Sequence, residues 1–316
     1  MNKVFGPVPS RRLGRSLGIN NIPPKICSYN CVYCQVGRTS DLSPERKPFY
    51  PPEELFAEVR TRLKTLRDAG EPVDALTFAP DGEPTLDENF GRAVDLLKTL
   101  GVKVAVLTNA SLLFREDVRN ELARADWVCL KVDTVDEKLW RRVNRPAPAV
   151  TLSSLLDGMR AFSKIYRGEL VTDSMLLAGY NDDPPGVRKL AGFLRELKPK
   201  KAYLSVPTRP PAEQSVKTPS TAAVENACRL FQEALGPAAE CPGHEEDSPL
   251  AYTGDVERDV LDMAAVHPVR EDQLRGYLER AGKDWDLIVR LLDAGQLLEK
   301  THDGKKFYLK KLPRVS

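Results

Sequence analysis

Cys27-Ser28-Tyr29-Asn30-Cys31-Val32-Tyr33-Cys34 places three thiols within eight residues, with an aromatic side chain directly before the last. Three thiolates this close can each take one iron of a cubane [4Fe–4S] cluster, and a protein-bound cubane ordinarily takes four. A fourth cysteine is missing nearby, so one iron would keep an open position where a small molecule could bind and receive an electron. Other uses of these thiols stand beside this one. A structural zinc site closes with four Cys or His ligands, and His244, His267 and His302, the only histidines, lie far along the chain. A disulfide would leave an odd thiol and suits a secreted protein; plain packing is the third alternative. The remaining cysteines are not clustered in sequence. Cys129 sits in the apolar run Trp127-Val128-Cys129-Leu130, Cys228 falls on a predicted helix, and Cys241 opens Cys-Pro-Gly-His. The Cys241/His244 pair supplies two ligands, too few for a metal site alone.

Outward from the thiols, β-like runs alternate with helical periodicity. Strands are predicted at 16–22, 74–79, 102–107, 127–132, 170–177 and 202–206, and helices at 52–69, 87–100, 115–125, 152–166, 185–197 and 221–235. Leu55, Val59, Leu63 and Leu66 mark one helical face and Gly70 its stop; Phe90, Val94, Leu97 and Leu100 mark the next, stopped by Gly101. Six β–α units imply a parallel sheet covered by helices. Six is too few for an eight-stranded closed barrel, so an open, partial barrel is expected. Parallel α/β folds hold ligands at the C-terminal ends of their strands. The cysteine loop, Asp81-Gly82-Glu83-Pro84-Thr85, Thr108-Asn109-Ala110-Ser111 and Asp133-Thr134-Val135-Asp136 all fall at such ends.

Residues 236–254 show little periodicity and read as a connector. Beyond them come helices at 256–266, 271–280 and 283–293, then two strands at 297–301 and 306–310 around an Asp-Gly turn signal. Three helices followed by a two-stranded wing describe a winged helix. The expected organisation is a barrel over 1–245, a linker over 246–254 and a winged-helix domain over 255–316.

A chain of 316 residues has room for one large domain and a small one. A net charge of +2 gives no bulk attraction to nucleic acid or membrane. Charges interrupt every long apolar stretch, and the N-terminus lacks an apolar signal core, so no membrane span and a cytoplasmic location are expected. The first fifty residues carry eight bases against two acids, which reads either as a solvated surface or as an anion-binding rim beside the cluster. The last sixty-one carry twelve bases against eleven acids, and Asp284, Asp286 and Asp293 crowd their third helix. That balance predicts only non-specific affinity for duplex DNA, because phosphate neutralisation supplies most such binding.

The Cys-x3-Cys-x-aromatic-Cys run resembles the signature of the radical S-adenosylmethionine (SAM) enzymes. Asp81-Gly82-Glu83-Pro84-Thr85-Leu86 resembles that family's glycine/glutamate motif, with Asp81 where Gly or Ser is usual. Val106-Leu107-Thr108-Asn109-Ala110-Ser111 follows the third strand, and Leu130-Lys131-Val132-Asp133-Thr134 ends the fourth, as in many members. Arg141-Arg142-Val143-Asn144-Arg145-Pro146 and Leu177-Ala178-Gly179-Tyr180-Asn181-Asp182 resemble the branch that includes the wyosine-type tRNA-guanine enzymes (TYW1) and bacterial proteins of unsettled substrate. The resemblance covers roughly residues 6–210. It lacks the cysteines of the additional cluster in those tRNA enzymes, and their flavodoxin-like extension.

The resemblance implies a partial (β/α)6 radical SAM barrel in which Cys27, Cys31 and Cys34 hold a [4Fe–4S] cluster and SAM chelates the fourth iron. It implies that Gly82 lets backbone approach SAM, Glu83 takes the amino group, Asn109 meets the methionyl part, Lys131 the carboxylate, Asp133 the ribose hydroxyls and Tyr33 the adenine. An electron from a donor such as flavodoxin or ferredoxin would cleave SAM, and the 5′-deoxyadenosyl radical would take a hydrogen from substrate. RNA is the first substrate reading, from the branch. A protein, peptide or small metabolite is the second, and a cluster-containing DNA-binding regulator the third.

Overall fold

The computed structural model describes residues 3–242, 252, 254–266 and 268–311. Strands β1 (Val4–Ser10) and β2 (Gly14–Ile19) form an antiparallel hairpin. A short parallel pair, β3 (Ile26–Cys27) and β4 (Asp41–Leu42), then braces the cysteine loop. The α/β alternation follows: α1 (Pro52–Asp68), β5 (Ala75–Phe78), α2 (Phe90–Lys98), β6 (Lys103–Thr108), α3 (Glu116–Leu122), β7 (Trp127–Lys131), α4 (Glu137–Val143), α5 (Leu152–Ile165), β8 (Glu169–Met175), α6 (Pro184–Leu197), β9 (Lys201–Ser205), α7 (Thr221–Leu235) and β10 (Ala239–Glu240). The sheet runs β1-β2-β5-β6-β7-β8-β9-β10, parallel from β2 onward. The chain therefore has the expected mixed α/β fold with a partial parallel sheet.

Alternation along the strands builds two apolar layers. Leu17, Leu76, Val104, Val106, Val128 and Leu130 face the helices and join the large core with the predicted stripe Leu55, Val59, Leu63 and Leu66. Ala75, Ala105, Trp127, Cys129 and Val171 face inward and pack with Leu13 from the β1–β2 turn. Helix starts follow local chemistry: Asp136, Thr151, Asp183 and Ser220 each accept a backbone N–H of the first turn.

The C-terminal part contains α8 (Val256–Val266), β11 (Val269–Arg270), α9 (Glu271–Arg280), α10 (Asp286–Asp293), β12 (Leu297–His302) and β13 (Lys305–Lys310), with sheet order β11-β13-β12. It has its own core, including Val260, Leu274, Ile288, Leu297 and Tyr308, against which Val8 of β1 packs. Asp303 and Gly304 take positive φ at the β12–β13 turn, as the Asp-Gly signal requires. Arg62 of α1 donates to the Gly6 carbonyl at 2.8 Å and lies 3.8 Å from Asp259 of α8. Thr218, after β9, donates to Asp303 at 3.3 Å.

Cys228 and Cys241, read as separate in the sequence, are joined as a disulfide with Cα atoms 5.6 Å apart. They are brought together because α7 turns back through Gly236 so that β10 runs beside its end; the spacing of 13 in sequence gives no hint of this. Bonded to each other, neither sulfur is a thiolate ligand. His244, and most of the expected linker 246–254, lie outside the described residues.

Candidate active site

The cysteine loop leaves β2 at the C-terminal edge of the sheet and is held on a bed formed by the end of α4. Val32 N–H donates to the Val143 carbonyl at 2.9 Å, and Asn30 N–H to that of Asn144 at 3.0 Å. Trp140 Nε1 donates to the Tyr29 hydroxyl at 3.2 Å, with the rings edge to face. Cys27, Cys31 and Cys34 are free and half-buried. Each sulfur faces N–H groups. Tyr29 N and Asn109 Nδ2 reach Cys27 Sγ at 3.4 and 3.5 Å, Asn144 Nδ2 reaches Cys31 Sγ at 3.5 Å, and the Val36 and Gly37 amides face Cys34. Cys129, by contrast, is packed inside the barrel, as its apolar run implies.

Burial pushes all three thiols up, Cys31 to about 12; a nearby carboxylate adds to it at each, Glu83 at Cys27, Asp133 at Cys31 and Asp81 at Cys34. Such a set ionises only against strong positive charge, which metal coordination supplies. Among the described residues no three His, Cys, Asp or Glu side chains converge where one ion could sit. A cubane takes each thiolate on a separate iron. The donor set, three thiols ringed by N–H groups, fits an iron–sulfur cluster.

Glu83 and Asn109 adjoin the thiols. Glu83 is buried; Oε1 accepts from Thr85 Oγ1 and Thr108 Oγ1, both at 2.6 Å, and Oε2 from Asn109 N at 2.7 Å. Burial raises its pKa against these donors. Asn109 Nδ2 also donates to Ser28 Oγ at 2.9 Å, so one side chain links the third strand to the cysteine loop. Gly82 also serves the packing of the loop. A Cβ there would lie 2.0 Å from the Ile26 carbonyl oxygen, so its missing side chain lets the cysteine loop itself approach.

Lys131 and Asp133 do share a face, but that face is already knit. Asp133 accepts from Tyr33 Oη at 2.5 Å, Asn144 Nδ2 at 2.6 Å and Met175 N at 2.8 Å, and its side chain has no exposed surface. Tyr33 is thereby turned toward Asp133, under Lys131 Nζ at 5.2 Å from the ring centre. Lys131 lies 3.2 Å from Asp173, which Arg12 meets at 2.7 Å. Burial opposes the charges of Lys131 and Arg12, yet the flanking acids keep both pKa values above their usual range. Asp173 is half-buried, and Lys131 and Arg12 hold it down at about 2 against that burial. Arg12 enters the barrel from the β1–β2 turn and stacks on Tyr203 at 4.0 Å. Arg12, Asp173, Asn144, Thr85 and Thr108 are assigned no site role from the sequence; Asn144, Thr85 and Thr108 lie inside motifs quoted above, whereas Arg12 and Asp173 lie in none.

The basic excess of the first fifty residues is largely consumed within the chain. Lys3, Arg12, Arg15, Arg38, Arg46 and Lys47 all face carboxylates. Lys25 instead donates its ammonium to the Val36 carbonyl and its amide to that of Asp81, beside Cys34.

Asp81 carries a measurable consequence. Burial pushes its carboxyl up to about 7, with Lys25 and Lys310 opposing. A raised carboxyl pKa means that stability present at low pH is lost as pH climbs from the unfolded value near 4 through the folded one. The loss is on the order of 4 kcal/mol at most. Asp81→Asn should unfold at the same denaturant concentration as the parent apo-protein near about pH 4 and at a clearly higher one near about pH 8. Equal midpoints at the higher pH would contradict this.

Comparison with known proteins places this constellation. The radical SAM superfamily profile matches residues 21–191. The UPF0026 protein of Methanocaldococcus jannaschii is 44% identical over 313 residues, 99% of this chain and 97% of that protein. Among solved structures, TYW1 with a lysine–pyruvate adduct superposes with a TM-score of 0.52 at 16% identity, over 69% of this chain and 73% of that one. Streptococcus suis SuiB bound to its precursor peptide SuiA gives 0.54 at 16%, over 70% and 48%. These two likenesses carry the fold alone. With the family match spanning the cysteine loop and strands β5 to β8, the chain belongs to the radical SAM superfamily and is an enzyme of SAM-dependent radical chemistry.

Proposed function

We propose that the chain cleaves SAM reductively at a [4Fe–4S] cluster held by Cys27, Cys31 and Cys34, and uses the resulting radical to take a hydrogen from its substrate. The observation that carries this is the set of three free thiols, each facing N–H donors, set against Glu83 and Asn109 at the sheet's C-terminal edge. When bound, the reduced cluster and SAM supply an electron and a primary carbon radical. The chain's own part is placement. Gly82, Glu83 and Asn109 form the SAM-facing side, where the buried Glu83 carboxylate suits an ammonium. Asp133 holds Tyr33, while Lys131 and Asp173 supply charge from the barrel interior. Lys131 is kept protonated by two acids and is a poor amine nucleophile; no covalent adduct is assigned to it. A small flavodoxin- or ferredoxin-type protein is the proposed electron donor.

We read residues 255–316 as a winged helix, from the element order and the β12–β13 hairpin, and 1–245 as the barrel. RNA is the first substrate reading, by kinship with the tRNA-guanine branch. A peptide, protein or metabolite is the second, and the ion pairs that neutralise the N-terminal bases favour it. No described helix is long and apolar enough to cross a membrane.

Anaerobically reduced protein with SAM should release 5′-deoxyadenosine and methionine, slowly even without substrate. Glu83→Ala should weaken SAM binding while leaving iron content unchanged. Chromatographic assay of the nucleoside and equilibrium dialysis of SAM test both; a cluster whose EPR spectrum ignores SAM would refute the proposal.

A further inference from the structure

Residues 141–146, Arg-Arg-Val-Asn-Arg-Pro, take no part in the chemistry described above, yet the cysteine loop rests on the last four of them. Their central residue, Asn144, is the C-cap of α4 and is 2% exposed. Its carbonyl accepts the Asn30 amide. Its side-chain Nδ2 donates to Asp133 Oδ2 at 2.6 Å and lies 3.5 Å from both Cys31 Sγ and Tyr33 Oη. Asp133 Oδ2 accepts this contact, which turns the nitrogen of the amide inward. One N–H serves Asp133, which leaves the other on the side of Cys31 and Tyr33. Asp133 is itself fixed by Tyr33 Oη and by the Met175 amide. The amide can therefore neither flip nor leave.

N–H groups directed at a ligand sulfur offset the negative charge of a reduced cluster, and such bonds set iron–sulfur potentials. Among the described residues Asn109 is the other side-chain amide facing one of these three sulfurs, but it is shared with Ser28. We propose that Asn144, oriented by Asp133, is a positioning residue that poises the reduction potential of the cluster bound by Cys27, Cys31 and Cys34. This rests on the radical SAM reading above.

The test is a potentiometric titration, followed by EPR, of the reconstituted full chain without SAM. Parent, Asn144→Ala and Asn144→Asp are compared, with Arg141→Ala as the control; Arg141 is an exposed partner of Glu137 on the same helix. All four should hold about four irons. Asn144→Ala keeps the backbone bond to Asn30 and should titrate at a more negative potential. Asn144→Asp, which replaces a donor by a charge, should lie further negative still, and Arg141→Ala should match the parent. Iron-replete Asn144 variants at the parent potential would overturn the proposal. So would loss of iron from Asn144→Ala, which would make the residue a strut. Should Asn144→Asp fail to fold, Asn144→Ala decides. A parent chain that holds no cubane would instead bring down the radical SAM reading itself.

Discussion

A chain carrying Ala at Cys27, Cys31 and Cys34 together is expected to bind no iron and to lose all broad visible absorption after anaerobic reconstitution. The parent should hold about four irons, the content of one cubane. The fold itself should persist, because the thiols are half-buried at a loop and the large core lies elsewhere. Replacing Cys129, Cys228 and Cys241 instead should leave iron content at the parent level. Cys129 is part of the inward apolar layer and the other two are bonded to each other. Iron analysis and the visible spectrum read both outcomes. Iron retained in the first variant, or lost in the second, would mean that the ligands have been misassigned.

Gly82→Ala is expected to be nearly as damaging, although it adds one methyl group. The new Cβ would sit 2.0 Å from the Ile26 carbonyl and 2.9 Å from Ile22 Cδ1. The carbonyl is not free to swing aside, since it accepts the Glu83 amide at 3.2 Å. The chain must separate the β5 exit from the cysteine loop, and overpacking of this kind costs about 1–3 kcal/mol. Because Ile26 precedes Cys27 and Gly82 precedes Glu83, the separation disturbs a ligand and a SAM-facing group at once. We expect a lower melting temperature, reduced iron loading and weak SAM binding together. Gly192→Ala on α6, where a Cβ meets nothing within 4 Å, is the matched control and should melt at or above the parent temperature. Full iron and an unchanged melt in Gly82→Ala would refute the packing account.

The six parallel strands were legible because fully buried β runs and helical stripes announce themselves by period. Predicted and observed ends differ by up to three residues: the strand expected at 16–22 is Gly14–Ile19, and the helix expected at 87–100 is Phe90–Lys98. β1 was missed, because Pro7 and Pro9 read against a strand although an edge tolerates them. α4 was also missed; its apolar positions are only Leu139, Trp140 and Val143. The thiols, Glu83 and Asn109 were legible from motif order. Their partners were not. That Asp133 is saturated by Tyr33, Asn144 and Met175 depends on contacts up to 100 residues apart in sequence, which no local pattern encodes.

The turn between β1 and β2 has a consequence for traffic. Leu13 and Arg12 fill the lower end of the barrel, and the inward residues at that level, Ala75, Ala105, Trp127 and Val171, are all buried. With that end packed shut, a molecule that reaches the cysteine loop is expected to arrive from the C-terminal ends of the strands or across the open flank of the sheet, not through the floor.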